Sequence, residues 1–302
     1  MLSQSAHSPS AGNSLVVVAG YPKSGNTLMN DTLSFAGQLT ESSWCPPRYE
    51  WQNQGDIDRI LANPFNPNPY LRPGQCHIKT HLKYSEQTYA LQSEHINTSS
   101  FLVITRNPFD TLLSATNYLR FSAIINKSLT GKQEATLKHF YPGYTVDDIL
   151  KPEIFNLEAL RDAGALDQAL EVFSSSQTSI PQFLARSGTW IEFYASFKNS
   201  VASTFQIRFE DIVKSEDGRQ EISKRLASFL EADPQILNQA FARQREACEQ
   251  AKEQQDPFYP VADSYYFFNY FQGKTLRRFC NTHKKSLEAF GYSDLADRIF
   301  ST

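Results

Sequence analysis

Residues 15–36, LVVVAGYPKSGNTLMNDTLSFA, narrow the folds open to this chain more than any other stretch. Leu15 to Ala19 form a short, continuous, largely β-branched run, the pattern of a strand buried on both faces of a parallel sheet. Leu28, Met29, Leu33 and Ala36 then recur at helical spacing, and Gly37 marks a stop for that helix. A strand that turns tightly into a helix aims unpaired backbone N–H groups and the positive helix end at one point. Ser24, Gly25, Asn26 and Thr27 are placed to supply those amides. Gly25 permits a positive φ or a close approach, Thr27 adds a hydroxyl, and Pro22 stiffens the entry. In the nucleotide-triphosphatase loop, G-x-x-x-x-G-K-[ST], the lysine follows the last glycine. Here Lys23 precedes Gly25 by two residues. The segment reads as an anion loop that does not name its anion, and an ordinary βα turn with a surface lysine is the plain alternative.

The rest of the chain repeats the strand-then-helix order. CHIKT, FLVITR (101–106) and TFQIRF (204–209) read as strands. Asn107-Pro108 is a helix start, with Asn as cap and Pro in the first turn. Residues 130–200 are mostly helical in pattern, and two further helices cover about 216–231 and 235–254. Residues 41–75 are rich in Pro, Asn and Trp and read as irregular, while residues 1–13 read as a disordered tail. This alternation predicts an α/β fold, a single domain over 14–302 with a central parallel sheet flanked by helices.

Composition limits the partners. A formal charge of −3 argues against a general nucleic-acid binder, so an anion site here must be a local concentration of positive charge. Cys45, Cys76, Cys248 and Cys280 share no C-x-x-C spacing and read as free thiols of a reducing compartment. The N-terminus lacks the apolar core of a signal peptide, and no run of about 18 apolar residues is present. The expectation is a cytoplasmic protein without membrane or nucleic-acid partners.

Two further motifs bear on the anion loop. In HIKTH, strand alternation puts His77, Lys79 and His81 on one face, and the carboxyl edge of a parallel sheet is where ligands bind. Lys79 and His81 would then lie beside the loop. A histidine there can take a proton near neutral pH, whereas His77, at the strand start, reads as structural. A lysine between two histidines discourages a metal. In ITRNPFDTLLS, Arg106 at a strand end can fork onto a phosphate, with Ser114 adding a hydrogen bond from the next helix. Pairing of Arg106 with Asp110, and Ser114 as a small core contact, is the alternative.

Taken together and in this order, GYPKSGNT, IKTHL and ITRNPFDTLLS resemble the cytosolic-type sulfotransferase family. GTWIEFYASF and TFQIRFEDIV are similar to its later helix-then-strand region, so the resemblance covers roughly 15–212. It implies a P-loop-like nucleotide-binding fold and 3′-phosphoadenosine 5′-phosphosulfate (PAPS) as donor. The product would be 3′,5′-adenosine bisphosphate (PAP), with no metal required. By that resemblance Lys23 is the catalytic lysine at the leaving oxygen. Ser24, Gly25, Asn26 and Thr27 cradle the 5′-phosphate, and His81 is the base. Lys79 lies near the transferring group, and Arg106 with Ser114 holds the 3′-phosphate. The chain departs from the family at Leu28, where an adenine-stacking tryptophan is usual, and at Phe209, which lacks a tyrosine hydroxyl. In the C-terminal closing segment only Gly273 and Lys274, with Arg277 and Arg278, are available. Trp44 and Trp51 fall in the region where an acceptor pocket would lie.

The resulting expectation is in-line transfer of a sulfuryl group from PAPS to a hydroxyl, less readily an amine, of a small molecule such as a specialised metabolite. A nucleotide-binding protein without turnover is opposed by intact Lys23 and His81. A small-molecule kinase is opposed by the lysine's position and the lack of an evident magnesium site. A homodimer is compatible with the sequence, which leaves the oligomeric state open.

Overall fold

Burial without interruption decides the place of the first strand. Leu15, Val16, Val17, Val18 and Ala19 are all at most 1% exposed, as they must be when helices cover both faces of a sheet. The computed structural model describes residues 13–43, 50–51, 68–72, 75–84, 96–174, 187–199, 203–253 and 265–301. Within them, β1 (Asn13–Gly20), β2 (Glu50–Trp51), β3 (Gln75–Thr80), β4 (Ile96–Thr105) and β5 (Ser203–Arg208) form one parallel sheet, in the order β2-β3-β1-β4-β5. The strand begins at Asn13, so the expected tail loses its last residue to β1, and the rest of that tail lies outside the described residues.

The helices are α1 (Asn26–Thr40), α2 (Pro108–Asn126), α3 (Gly131–Phe140), α4 (Val146–Ile149), α5 (Leu157–Asp162) and α6 (Ala165–Ser174). They continue as α7 (Trp190–Lys198), α8 (Phe209–Val213), α9 (Glu216–Leu230), α10 (Pro234–Glu253), α11 (Gly273–Ala289) and α12 (Ser293–Ser301), with a 3₁₀ turn at Tyr266–Asn269. Among the described residues no helix is long and apolar enough to cross a membrane. Strand alternation divides the core. Val16, Val18, Leu102, Ile104 and Ile207 pack with α1, α9 and α10, while Leu15, Val17, Ala19, Ile78, Phe101 and Val103 pack with α2, α6, α7 and α11. Each fully buried aliphatic side chain contributes roughly 1.5–3 kcal/mol.

Three boundaries differ from the sequence reading. Gly37 does not end α1, because it is buried inside the helix and its carbonyl accepts from Glu41 N–H in the last turn. Phe209 opens α8 instead of closing β5. β3 ends at Thr80, so strand alternation carries His77 and Lys79 but not His81.

The start of α2 follows expectation and is then extended by contacts the sequence does not show. Asn107 caps the helix, its Oδ1 accepting from Asp110 N–H at 2.8 Å, with Pro108 in the first turn. Glu210 reaches this cap from α8. Its Oε1 accepts from Asn107 N–H at 2.7 Å and Nδ2 at 2.9 Å, and its Oε2 from the Tyr292 hydroxyl at 2.9 Å. Asp110 accepts from Tyr265 N–H at 2.7 Å and Phe267 N–H at 3.1 Å, fixing the 3₁₀ turn, and from Asn107 Nδ2 at 2.7 Å. The aromatic residues at 265–271 add to the core here: Phe267 and Phe271 are buried and meet Phe109, while Tyr265, Tyr266, Phe268 and Tyr270 are half-buried around them.

Glu210→Ala removes the acceptor of several buried donors at once, so it should destabilise the protein by about 3 kcal/mol or more. Urea denaturation measures this, and Tyr292→Phe, which removes one donor only, should cost less.

Candidate active site

The sheet order puts a crevice at the carboxyl end of β1, where the chain has a neighbouring strand on each side. Three loops leave the sheet there. Residues 21–25 follow β1, His81 follows β3, and Arg106 follows β4.

The loop after β1 is a tight turn closed by Ser24 N–H on the Tyr21 carbonyl at 3.0 Å. Ser24 thus uses its amide within the turn, and its buried side chain bonds Tyr194, whose hydroxyl also bonds the Ile104 carbonyl, each at 2.9 Å. Two residues take positive φ, Lys23 at 69° and Gly25 at 104°. Gly25 is required on two counts, since a Cβ would also fall 2.6 Å from the Phe209 ring. Gly25 gives α1 no side-chain cap, so the first amides of that helix, those of Asn26, Thr27 and Leu28, retain their capacity for an anion. Thr27 is exposed at this end, and Leu28 is half-buried against the apolar cluster of the α1 face.

Arg106 is 3% exposed and lies with its guanidinium 4.4 Å above the Phe209 ring. Phe209 is thereby a floor between Gly25 and Arg106. Arg106 Nη1 donates to the Lys23 carbonyl at 3.1 Å, which holds Lys23 in its uncommon backbone conformation, and Trp190 Nε1 donates to the Arg106 carbonyl at 3.1 Å. Asp110 faces the Tyr265 and Phe267 amides instead of serving Arg106 as a paired carboxylate, though the Arg106 charge tempers the effect of burial, which pushes the Asp110 carboxyl up to about 6.

The Lys23 ammonium lies 4.5 Å above the ring of Tyr118. Burial, then the charges of Arg106 and Lys79, pull its pKa down to about 8. Ser114 is buried one turn before Tyr118 on α2, on the same helix side. His81 is half-buried, with Nδ1 2.9 Å from the Gly20 carbonyl and 3.2 Å from Asn26 Nδ2. Ser187 Oγ donates to the His81 carbonyl and fixes its backbone from the approach to α7. With Nδ1 donating to Gly20, a neutral ring carries its basic lone pair on Nε2.

His77, by contrast, is 1% exposed, contacted by Ser34 Oγ and Asn68 Nδ2 at 3.2 Å each. Burial pulls it down to about 4, so it is a neutral structural histidine, as read. Lys23 thus lies within reach of the charges of Arg106 and Lys79, Arg106 rests on Phe209, and His81 sits against the Gly20 carbonyl and Asn26 at the other side of the β1 turn. Gly273 and Lys274 are exposed at the start of α11, whose contacts run to α6 and α12 instead. Trp51 is on β2, its backbone paired with Thr80 beside His81, and Trp44 lies outside the described residues. Sequence reasoning missed Tyr118, Trp190 and Glu210. Only Tyr118 carried a signal, its four-residue step from Ser114.

No family model and no curated protein matches the sequence. Among the solved structures that are similar in fold are two with PAP bound. Mouse sulfotransferase SULT7A1 complexed with PAP aligns with a TM-score of 0.54 and 14% identity, covering 96% of this chain and 88% of that one. Retinol dehydratase in complex with androsterone and inactive cofactor PAP aligns with a TM-score of 0.50 and 12% identity, covering 92% and 81%. This chain has the α/β fold of the sulfotransferases.

Proposed function

We propose that this protein is a PAPS-dependent sulfotransferase acting on a hydroxyl group of a small molecule. The observation that carries the reading is that Lys23, Lys79 and Arg106 feel one another's charge at the ends of three adjacent strands, with His81 following the same edge of β3, in a protein of net charge −3. Like charges held this close favour an anion carrying more than one negative group. The residues fit PAPS at both ends. The uncapped start of α1 and Gly25 suit the 5′ side, and the Arg106 fork with Ser114 suits a 3′-phosphate. When bound, PAPS supplies an activated sulfuryl group and a phosphate leaving group.

The chain's own residues then have separable tasks. Lys23, with its midpoint near 8, is a cation at neutral pH and readily gives its proton, which suits charge developing on a leaving oxygen. Lys79 adds a second positive charge from the next strand. His81 Nε2 accepts the proton of the acceptor hydroxyl, because Nδ1 is engaged by the Gly20 carbonyl. None of these tasks needs a metal. The acceptor would enter beside β2 and His81, near Trp51.

Transfer of radiolabelled sulfuryl from PAPS to a panel of alcohols, phenols and amines tests the proposal. Turnover should persist in EDTA. His81→Ala and Lys23→Ala should each reduce kcat by about a hundredfold or more. Arg106→Ala should raise KM for PAPS while leaving acceptor KM nearly unchanged. Near-normal rates in the first two variants, or transfer that depends on magnesium, would contradict it.

A pH dependence follows from Lys23. Its pKa is lowered, so the amine is charged below about 8 and loses its charge as pH rises through that value. The kcat/KM for donor should therefore fall on the alkaline side with a midpoint near 8. Lys79→Gln removes one of the charges that depress the amine and should move this midpoint upward.

A further inference from the structure

Asn26 is the first residue of α1 and is 2% exposed, yet its side chain turns away from the helix and toward the sheet. Nδ2 lies 3.0 Å from the Gly20 carbonyl and 2.8 Å from the Thr80 carbonyl, the last residues of β1 and β3. The amide has two protons, and these two carbonyls take both. The reverse orientation would put Oδ1 against two oxygens that can only accept, so the placement of the amide is fixed by its surroundings. Nδ2 also lies 3.2 Å from His81 Nδ1, but with both protons given to carbonyls it has none for the ring.

The ring must therefore satisfy Nδ1 elsewhere. The Gly20 carbonyl is 2.9 Å away. A proton on Nδ1 makes a hydrogen bond there, whereas a lone pair would face the carbonyl oxygen. The other tautomer could be accommodated only if Asn26 released a buried carbonyl to donate to the ring. Two features show how closely the arrangement is built. A Cβ on Gly20 would fall 1.8 Å from Asn26 Oδ1, so residue 20 must be glycine for the amide to sit here. Asn26 Oδ1 is itself buried without a hydrogen-bond partner among the described residues, a cost that helix formation alone does not explain.

We infer that Asn26 is a positioning residue for His81, its side-chain amide clipping the ends of β1 and β3 together and holding the His81 proton on Nδ1. The inference rests on the proposed role of His81 as base, for which Nε2 must carry the lone pair. It assigns to Asn26 a task beyond offering a backbone amide to the anion.

The test reads the ring itself. Two-bond ¹H–¹⁵N correlation spectra of histidine-labelled protein, recorded at a pH where the ring is neutral and assigned with His81→Gln, distinguish the two tautomers. The wild-type protein should show His81 as Nδ1–H. Asn26→Ala should give a mixture or the Nε2–H form, and Asn26→Ser, which keeps one donor, should lie between. In the sulfotransfer assay, Asn26→Ala should lower kcat by about tenfold or more with PAPS KM changed by no more than about twofold. A wild-type ring in the Nε2–H form overturns the inference, as does an unchanged Nδ1–H ring in Asn26→Ala. Should Asn26→Ala not fold, Asn26→Ser and Gly20→Ala, which displaces the amide, decide by the same spectra. The ring measurement needs no turnover, so an absence of sulfuryl transfer would sink the functional proposal without deciding this one.

Discussion

Because β1 pairs in parallel with β3 on one edge and β4 on the other, three chain segments leave the sheet at the same end, about 4.8 Å from strand to strand. That pairing brings Lys23, His81 and Arg106 together from positions scattered over 84 residues of sequence. It also sets their roles. The middle strand supplies the turn and the helix start, and its neighbours supply an imidazole on one side and a guanidinium on the other. A register shift of one residue in β3 or β4 would move the points from which His81 and Arg106 leave the sheet, and would turn Lys79 to the other face. Asn26 fastens β1 to β3 by their last carbonyls, and Arg106 fastens β4 to the loop through the Lys23 carbonyl.

Concentrating positive charge in this way works against folding, and the surrounding structure offsets it. Arg106 lies on Phe209, donates to the Lys23 carbonyl and receives Trp190 on its own carbonyl, so its position is fixed from several sides. The two nearby buried acids are engaged otherwise, Glu210 with Asn107 and Tyr292, Asp110 with the 3₁₀ turn at 265–267. Burial first, and then the charges of Arg106 and Lys79, depress the Lys23 amine. Tyr118 places an aromatic face against that amine without cancelling its charge.

What the sequence could disclose was local. The buried strand, the turn and the helix after it are written in adjacent residues, and so is the Asn107 cap with Pro108 behind it. His81 and Arg106 were legible because each ends a strand-like run, and the end of a parallel strand is a place where function gathers. The long-range ties were not legible. Nothing within reach of Asn107 in sequence points to Glu210, and nothing near His81 points to Ser187. Gly37 misled because a glycine can end a helix or sit buried within one, and only packing decides. Asn26 carried a faint signal, since asparagine favours caps and turns over the body of a helix. Its partners, Gly20 and Thr80, become neighbours only when β1 and β3 pair.

The central claim is that this site distinguishes a nucleotide with phosphates at both 3′ and 5′ positions. Calorimetric titration of the wild-type protein and Arg106→Ala with PAP, 5′-AMP and magnesium-ATP tests it directly. The account predicts that PAP binds the wild-type protein at one site and more tightly than 5′-AMP or magnesium-ATP. It further predicts that Arg106→Ala removes most of the advantage of PAP over 5′-AMP. Equal affinity for PAP and 5′-AMP in the wild-type protein, or a preference for magnesium-ATP, would contradict it.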